Sequence, residues 1–223
     1  MLKDISDFLL SLIFPREPLC LICGTRTSFG LVYLCNNCKE ALELEVDQAR
    51  PPMLRSGLKN LRAVGSFAYY HGILKRLVYE FKYRGHRRLD RKLSNMLLEA
   101  LKDKRWPNFD YIIPVPLHPK REEERGFNQA LLLAKPVSKK LGVPLCQELV
   151  RVKDTRAQTL LDKNDREKNL RGAFKVRGGQ QLQDKTILLI DDVFTTGATA
   201  KACAKALKTA GTGDVFMLTV ARG

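Results

Sequence analysis

Two neighbouring carboxylates followed by a hydroxyl-rich loop are the residues of this chain best suited to bind a small ligand. Asp191 and Asp192 come directly after four aliphatic residues. The loop that follows consists of Thr195, Thr196, Gly197, Ala198 and Thr199. A helix that begins at such a loop offers free N–H groups and a positive dipole end to a phosphate. Because the carboxylates suit ribose hydroxyls and a divalent metal, the segment predicts a site for a phosphorylated sugar.

A proline-rich turn before two cations provides a second candidate anion site. Residues 111–115 are typical of a strand, and the prolines that follow stiffen the chain ahead of Lys120 and Arg121. A guanidinium group binds phosphate oxygens in a bidentate manner, so these cations suit a phosphate group. His118 either donates to the same anion or packs between the prolines.

Four of the six cysteines form two C-x-x-C pairs with eleven residues between them: Cys20, Cys23, Cys35 and Cys38. Four thiolates at this spacing suit a closed, tetrahedral structural zinc site. Disulfides are the alternative interpretation, but a reducing cytoplasm disfavours them.

The formal net charge of +15 is concentrated in two segments, residues 61–110 and residues 151–180. Residues 61–110 contain twelve Lys and Arg against five Asp and Glu, and residues 75–92 interleave the cations with aromatic side chains. Single-strand binders combine cations with stacking rings. The candidate nucleic-acid contacts are Lys82, Arg84, Arg87 and Arg88. The alternative is that a helix anchored by apolar residues leaves these cations on a solvated face.

The remaining chain alternates strand-like and helical patterns, which predicts an α/β fold with a mostly parallel sheet. Strands are expected at residues 66–70, 111–115, 186–190 and 215–220, and helices at 72–83, 89–101, 128–141 and 198–210. Residues 51–57 are the expected linker. Apolar residues near the start have helical spacing, which favours a short amphipathic helix over a membrane anchor. We expect no membrane span and a cytoplasmic location.

The motifs together resemble a known family. The segment ILLIDDVFTTGAT resembles the 5-phosphoribosyl diphosphate (PRPP) signature of type I phosphoribosyltransferases, and the chain lacks the competing motifs G-x-x-x-x-G-K-[ST] and G-x-G-x-x-G. Three further segments resemble the ComF family of competence-associated proteins: PVPLHPKREEERGFNQALLLA, NLRGAF and the closing LTVARG.

This resemblance implies a fold, a set of ligands and a role. It implies a zinc-ribbon module at residues 1–58 and a phosphoribosyltransferase-like domain at 59–223, with 59–110 as a hood or nucleic-acid-contacting part. Asp191 and Asp192 would hold the ribose hydroxyls, residues 195–199 the 5′-phosphate, and His118, Lys120 and Arg121 the diphosphate with magnesium. Residues 151–177 would include a loop that closes over PRPP.

Two functions follow from the resemblance and remain open at the level of sequence. In the first, the protein handles imported single-stranded DNA in natural transformation, beside a DNA-uptake helicase, and PRPP binding regulates or completes it. In the second, it is an active magnesium-dependent phosphoribosyltransferase, with Asp191 and Asp192 in the catalytic centre, that acts on an unidentified acceptor.

Overall fold

The computed structural model of the protein describes residues 19–27, 33–48, 51–154 and 170–223. Its helices are α1 (Asn36–Gln48), α2 (Gly72–Tyr83), α3 (Asp90–Ala100), α4 (Pro119–Arg125), α5 (Gln129–Leu141) and α6 (Ala198–Thr209). Its strands are β1 (Leu54–Arg55), β2 (Ala63–Tyr69), β3 (Tyr111–Pro114), β4 (Leu149–Arg151), β5 (Phe174–Val176), β6 (Ile187–Phe194) and β7 (Val215–Arg222). The predicted N-terminal amphipathic helix and the greater part of the predicted closing loop lie outside the described residues.

The described part of the chain builds a five-stranded sheet in the order β1-β2-β7-β6-β3. The pairs β2–β7, β7–β6 and β6–β3 are parallel, whereas β1 pairs antiparallel with β2. Strands β4 and β5 form a separate antiparallel pair. The predicted α/β class with a mostly parallel sheet is confirmed.

Strand β6 is buried on both faces of the sheet, as its run of aliphatic residues predicts. Leu188 and Ile190 belong to the hydrophobic cluster that includes α3 and α5. Ile187 and Leu189 belong to the cluster that includes α6. Helices on both faces therefore fix the position of β6, and with it the position of the acids at its end.

The cysteine-bearing segment shares its hydrophobic core with α2. Cys38, Leu42 and Val46 lie on one face of α1 and are buried in the same cluster as the α2 side chains. Glu45 of α1 also accepts a hydrogen bond from the backbone N–H of Ile73, with 3.1 Å between N and Oε2. This carboxylate satisfies a free N–H group in the first turn of α2.

Two elements differ from the sequence predictions. Residues 51–57, predicted as a linker, contain β1, which pairs with β2 and so extends the sheet. Strand β6 continues to Phe194 and includes both acids, because β7 runs beside it far enough to pair Asp191 with Thr219. Strand β3 ends at Pro114, opposite Ile190. The acids therefore lie just beyond the end of one neighbouring strand, at the carboxyl edge of the sheet.

Candidate functional site

A cleft of about 300 Å³ opens at the carboxyl edge of β6. Asp191, Asp192 and the whole loop at residues 195–199 line it, so the structure brings the predicted acids and hydroxyl groups together. Other lining side chains come from α2, α4, α5 and β4: Lys82, Tyr83, Arg121, Arg125, Gln129 and Arg151. Ligands of open α/β sheets bind at such an edge, beyond the carboxyl ends of the strands.

Lys82 and Asp192 form an ion pair within this cleft. The Lys82 Nζ atom lies 2.8 Å from Oδ1 of Asp192, and the two side chains are only 18% and 9% exposed. Burial by itself lowers the pKa of Lys82, but the charge of Asp192 outweighs it and the pKa rises above its usual value. One of the two acids is therefore already neutralised by a cation from α2.

Asp191 is in a different electrostatic environment from its neighbour. Burial, and then the charge of Asp192, raise the pKa of the Asp191 carboxyl to about 7. The backbone N–H of Asp192 donates to Oδ1 of Asp191 at 2.9 Å, which holds that carboxyl in place. A carboxyl with such a pKa exchanges a proton near neutral pH, so its charge state responds to ligand binding.

The loop at residues 195–199 leads into helix α6 through a glycine turn. Gly197 precedes α6 with a φ of 76°, a left-handed conformation that favours glycine. A Cβ atom at this position would come within 2.6 Å of Cδ1 of Leu58. Ala198 and Thr199, the first residues of α6, line the cleft, and a helix start favours an anion.

The cations at the cleft are not entirely those that the sequence suggests. Arg121 lines the cleft as predicted, together with Arg151, a candidate of the closing loop that here lies in β4. Burial, and then the charge of Arg121, lower the pKa of Arg151. Two guanidinium groups that line one cleft and repel each other favour the binding of an anion there.

His118 and Lys120 lie apart from the cleft lining. Both face Asp154: Nδ1 of His118 is 4.0 Å from Oδ1, and Nζ of Lys120 is 3.8 Å from Oδ2. These contacts differ from the diphosphate contacts that the sequence pattern suggests. The predicted roles of these two side chains stay predictions.

The four predicted cysteines form a compact cluster. All four Sγ atoms lie within 4.8 Å of one another, so the cluster can hold a metal ion. Zinc with Zn–S bonds of about 2.3 Å requires S–S separations of roughly 3.8 Å, which this arrangement fits. The hydroxyl and the backbone N–H of Thr25 lower the pKa of the Cys23 thiol to about 6. Burial, and then contacts with the neighbouring thiols, raise the pKa of the Cys38 thiol to about 12, so a metal ion has to displace its proton on binding.

Comparisons with known proteins agree with both parts of the molecule. Residues 128–222 match the family described as "Phosphoribosyl transferase domain". "Competence protein F" of Haemophilus influenzae is 31% identical over 211 residues, which cover 92% of this chain and 85% of that protein. The chain belongs to the ComF family.

Two other relatives of this ComF-family protein have names that refer to DNA utilization and to competence. "DNA utilization protein YhgH" of Escherichia coli K12 is 29% identical over 221 residues, covering 92% of this chain and 96% of that protein. "Competence protein ComFC" of Bacillus subtilis 168 is 26% identical over 209 residues, with 92% and 84% covered.

The four predicted nucleic-acid contacts of this ComF-family protein differ in their surroundings. Lys82 faces the cleft and pairs with Asp192, so it does not share a surface with the exposed Arg84 and Arg88. Arg87 donates from Nη2 to the carbonyl oxygen of Gly126 at 2.9 Å and lies over the ring of Phe127. Arg84 and Arg88 are thus the members of the predicted set that are best placed for an external partner. Within the described ranges no helix is long and apolar enough to cross a membrane.

Tyr83, Arg125 and Gln129 are among the cleft residues to which no sequence motif points. Tyr83 lies within the stretch 75–92 that interleaves cations with aromatic side chains, and Arg125 follows three glutamates. Both lie in the last turn of their helix, close to the strand ends in space but far from β6 in the chain. A position in the last turn of a helix could have indicated such residues. Which helix ends lie at the carboxyl edge of the sheet depends, however, on how the helices pack.

Proposed function

We propose that this ComF-family protein binds PRPP with magnesium in the cleft and handles imported single-stranded DNA in natural transformation. One observation carries the first part. Paired acids, a phosphate-binding helix start and two guanidinium groups from separate elements converge in a single cleft of about 300 Å³. This set of groups matches a ligand with a ribose between a phosphate and a second anionic group.

Each part of PRPP has a complementary partner in this proposal. The 5′-phosphate binds the first N–H groups of α6 and the threonine hydroxyls of the loop. The ribose hydroxyls bind Asp191 and Asp192, and the diphosphate lies against Arg121 and Arg151. Magnesium, when bound with the diphosphate, supplies additional positive charge for its oxygens.

The proposed DNA role rests on relatives and on charge. The similar proteins are named for competence and for DNA utilization. Arg84 directly follows α2 and Arg88 lies in the turn after it, and both are exposed. The rings of Tyr79 and Tyr83 on α2 are also exposed. A cationic surface with rings suits single strands. Handling imported DNA implies a cytoplasmic location, and the family resemblance adds a DNA-uptake helicase as partner.

The cysteine cluster is proposed to hold a structural zinc ion within a module at residues 1–58, ahead of a phosphoribosyltransferase-like domain at 59–223. All four ligands come from the chain, so the coordination shell is closed. The zinc ion then stabilises α1, whose buried face packs on the α2 region. The metal has a structural role in this proposal and no role in chemistry at the cleft.

The second candidate function is phosphoribosyl transfer. The raised pKa of Asp191 is the observation that favours it, because perturbed carboxyls are frequent in catalytic sites. Transfer would break the bond between the anomeric carbon and the diphosphate, with cations stabilising the departing oxygens. The acceptor in this candidate is unidentified.

Titration calorimetry with PRPP and magnesium tests the cleft assignment, and a diphosphate-release assay separates the two functions. We expect saturable binding that Arg121→Ala weakens at least tenfold, since one bidentate phosphate contact is lost. Lys135→Ala, on an exposed part of α5, serves as the matched control. Binding without diphosphate release supports the DNA-handling role. Diphosphate release that depends on an acceptor would show that the protein is a phosphoribosyltransferase.

A gel-shift titration with single-stranded DNA tests the surface. We expect that Arg84→Glu with Arg88→Glu weakens binding and reduces its dependence on salt, because fewer phosphates are neutralised. The control, Lys139→Glu with Lys140→Glu at the end of α5, makes the same change in net charge. Equal losses in both double variants would show that net charge alone governs binding and would refute the proposed surface.

A further inference from the structure

A groove of about 810 Å³ lies between β5 and α6 and is much larger than the ligand cleft. One side consists of residues spread along the whole of α6, from Ala198 in its first turn to Ala210 just after its last. The other side consists of residues between Leu170 and Gly178, which include β5. Because α6 has 12 residues, it is about 18 Å long. The groove is therefore long enough for a helix of about three turns.

The floor of this groove is apolar. Val176, Ala202 and Ala206 line it, and all three pack against the hydrophobic cluster that includes α6. They are only half-buried, so part of this apolar surface is in contact with water. Removing such a surface from water is favourable, and a continuous one is typical of a surface that binds a partner.

Cations line both sides of the groove. Arg171 and Lys175 are exposed on the β5 side, and Lys205 is exposed on α6. Lys201, one helical turn before Lys205, also lines the groove. In the part of the chain that the structure describes, no acidic residue lines it. A cationic rim around an apolar floor is complementary to a segment that has carboxylates beside an apolar face.

Nucleic acid and a second copy of this chain are less complementary to the groove. Single strands bind through rings on which bases stack. Phe174 provides the one ring among the described lining residues, but it is only 5% exposed, and Cζ of Arg151 lies 5.6 Å from its centroid. A second copy carries the same net charge of +15, so two copies repel each other. These features favour an acidic partner protein.

We propose that the groove between β5 and α6 docks an acidic, amphipathic helix of a partner protein. The apolar face of that helix lies on the floor, and its carboxylates pair with Arg171, Lys175 and Lys205. Ala198 lines both the groove and the ligand cleft, so the docked helix lies next to the cleft. The groove is nevertheless a separate site, and docking there does not require a ligand in the cleft.

Fluorescence anisotropy with a labelled synthetic peptide tests the docking site. The peptide has leucine at positions i, i+3, i+4 and i+7 and glutamate at the others, and a control peptide has the same composition in scrambled order. We expect the patterned peptide to bind the full chain about tenfold more tightly than the scrambled one, because only the former presents a continuous apolar face. Equal binding of the two peptides would refute the proposal.

Charge reversal at the rim locates the bound peptide. Lys175→Glu with Lys205→Glu should weaken the patterned peptide by about tenfold, because like charges then face each other. Lys139→Glu with Lys140→Glu makes the same change in net charge at the exposed end of α5 and should retain the affinity. Equal losses in the two double variants would show that net charge alone attracts the peptide and would overturn the groove as its site.

Ala202→Gln narrows the groove without a change in charge. We expect weaker binding of the patterned peptide, and circular dichroism checks that the variant folds. Unchanged affinity in a folded variant would show that the peptide binds elsewhere.

Two other occupants have distinct outcomes. If an oligothymidylate displaces the peptide and is itself weakened by the Lys175 and Lys205 reversals but not by the control, the groove binds nucleic acid. If light scattering finds a dimer that the same reversals dissociate, the groove joins two copies of this chain. Either result would overturn the acidic partner.

Discussion

The Lys82 ammonium lies 2.8 Å from Oδ1 of Asp192, and this ion pair joins the end of α2 to the carboxyl edge of β6. Both side chains are mostly buried, so each depends on the other to offset the cost of leaving water. The pair also holds Tyr83, the next residue of α2, beside the cleft. A single contact thus connects the helix that carries the basic stretch with the proposed ribose site.

Loss of one partner of this ion pair is expected to destabilise the protein. Asp192→Asn leaves the Lys82 ammonium without its counter-charge in a mostly buried position, and we expect the free energy of unfolding to fall by about 3 kcal/mol. Urea denaturation at pH 7 measures it. Lys82→Met together with Asp192→Asn should recover part of the loss, because neither variant side chain carries a charge. A single variant as stable as the wild type would contradict a buried pair.

Asp191→Asn is expected to have the opposite effect, and one that depends on pH. The pKa of Asp191 is raised in the folded protein, so the folded state retains a proton that the unfolded chain releases above its ordinary pKa. The protonated Asp191 carboxyl therefore contributes to the free energy of unfolding at low pH, and this contribution is lost as the pH rises towards about 7. The variant should gain stability over the wild type at pH 8, and the gain should disappear near pH 4. Unfolding curves at both pH values measure the difference; a gain independent of pH would exclude titration as its cause.

Gly197→Ala is expected to damage the phosphate-binding loop. The left-handed φ of 76° and the contact of a new Cβ with Leu58 both oppose the substitution. We expect a loss of about 1–3 kcal/mol in stability and weaker binding of ribose 5-phosphate. Gly57→Ala is the control, since a Cβ there meets nothing within 4 Å. Similar results for the two variants would show that the loop tolerates a side chain.

Cys38→Ser is expected to weaken metal binding by the cysteine cluster. Three remaining thiolates hold zinc much less tightly than four, and α1 loses the ion that ties its first turns to the Cys20 pair. Elemental analysis should find one zinc ion per wild-type chain and less in the variant, with a lower melting temperature. Cys146→Ser, outside the cluster, should retain the metal. Full zinc content in the Cys38 variant would exclude it as a ligand.

The site could be predicted from sequence where consecutive residues build it. The bounds of α2 agree with the prediction at residues 72–83, and the acids and the loop after them line one cleft. The four cysteines also come together as their spacing indicates. In each case the chemistry is carried by a short run of residues, and local backbone preferences suffice to arrange it.

Other predictions depended on which side chains meet across the fold. The sequence predicts Lys82 as a nucleic-acid contact because cations and rings alternate around it, but in the fold its ammonium pairs with Asp192 in the cleft. His118 and Lys120 face Asp154, a residue to which no motif connects them. The length of β6 depended on β7, whose pairing continues to Arg222.

By itself, the sequence determined the parallel α/β class, the cysteine cluster and the acid-and-loop segment, because hydrophobic period, ligand spacing and a glycine-containing helix start are local properties of the chain. The tertiary structure alone decided which cations and rings face that segment. Lys82 and Tyr83 reach the cleft from α2, whose apolar side chains are buried in the main hydrophobic cluster, and Arg125 reaches it from the last turn of α4. Where these helices end relative to β6 is a property of the whole fold.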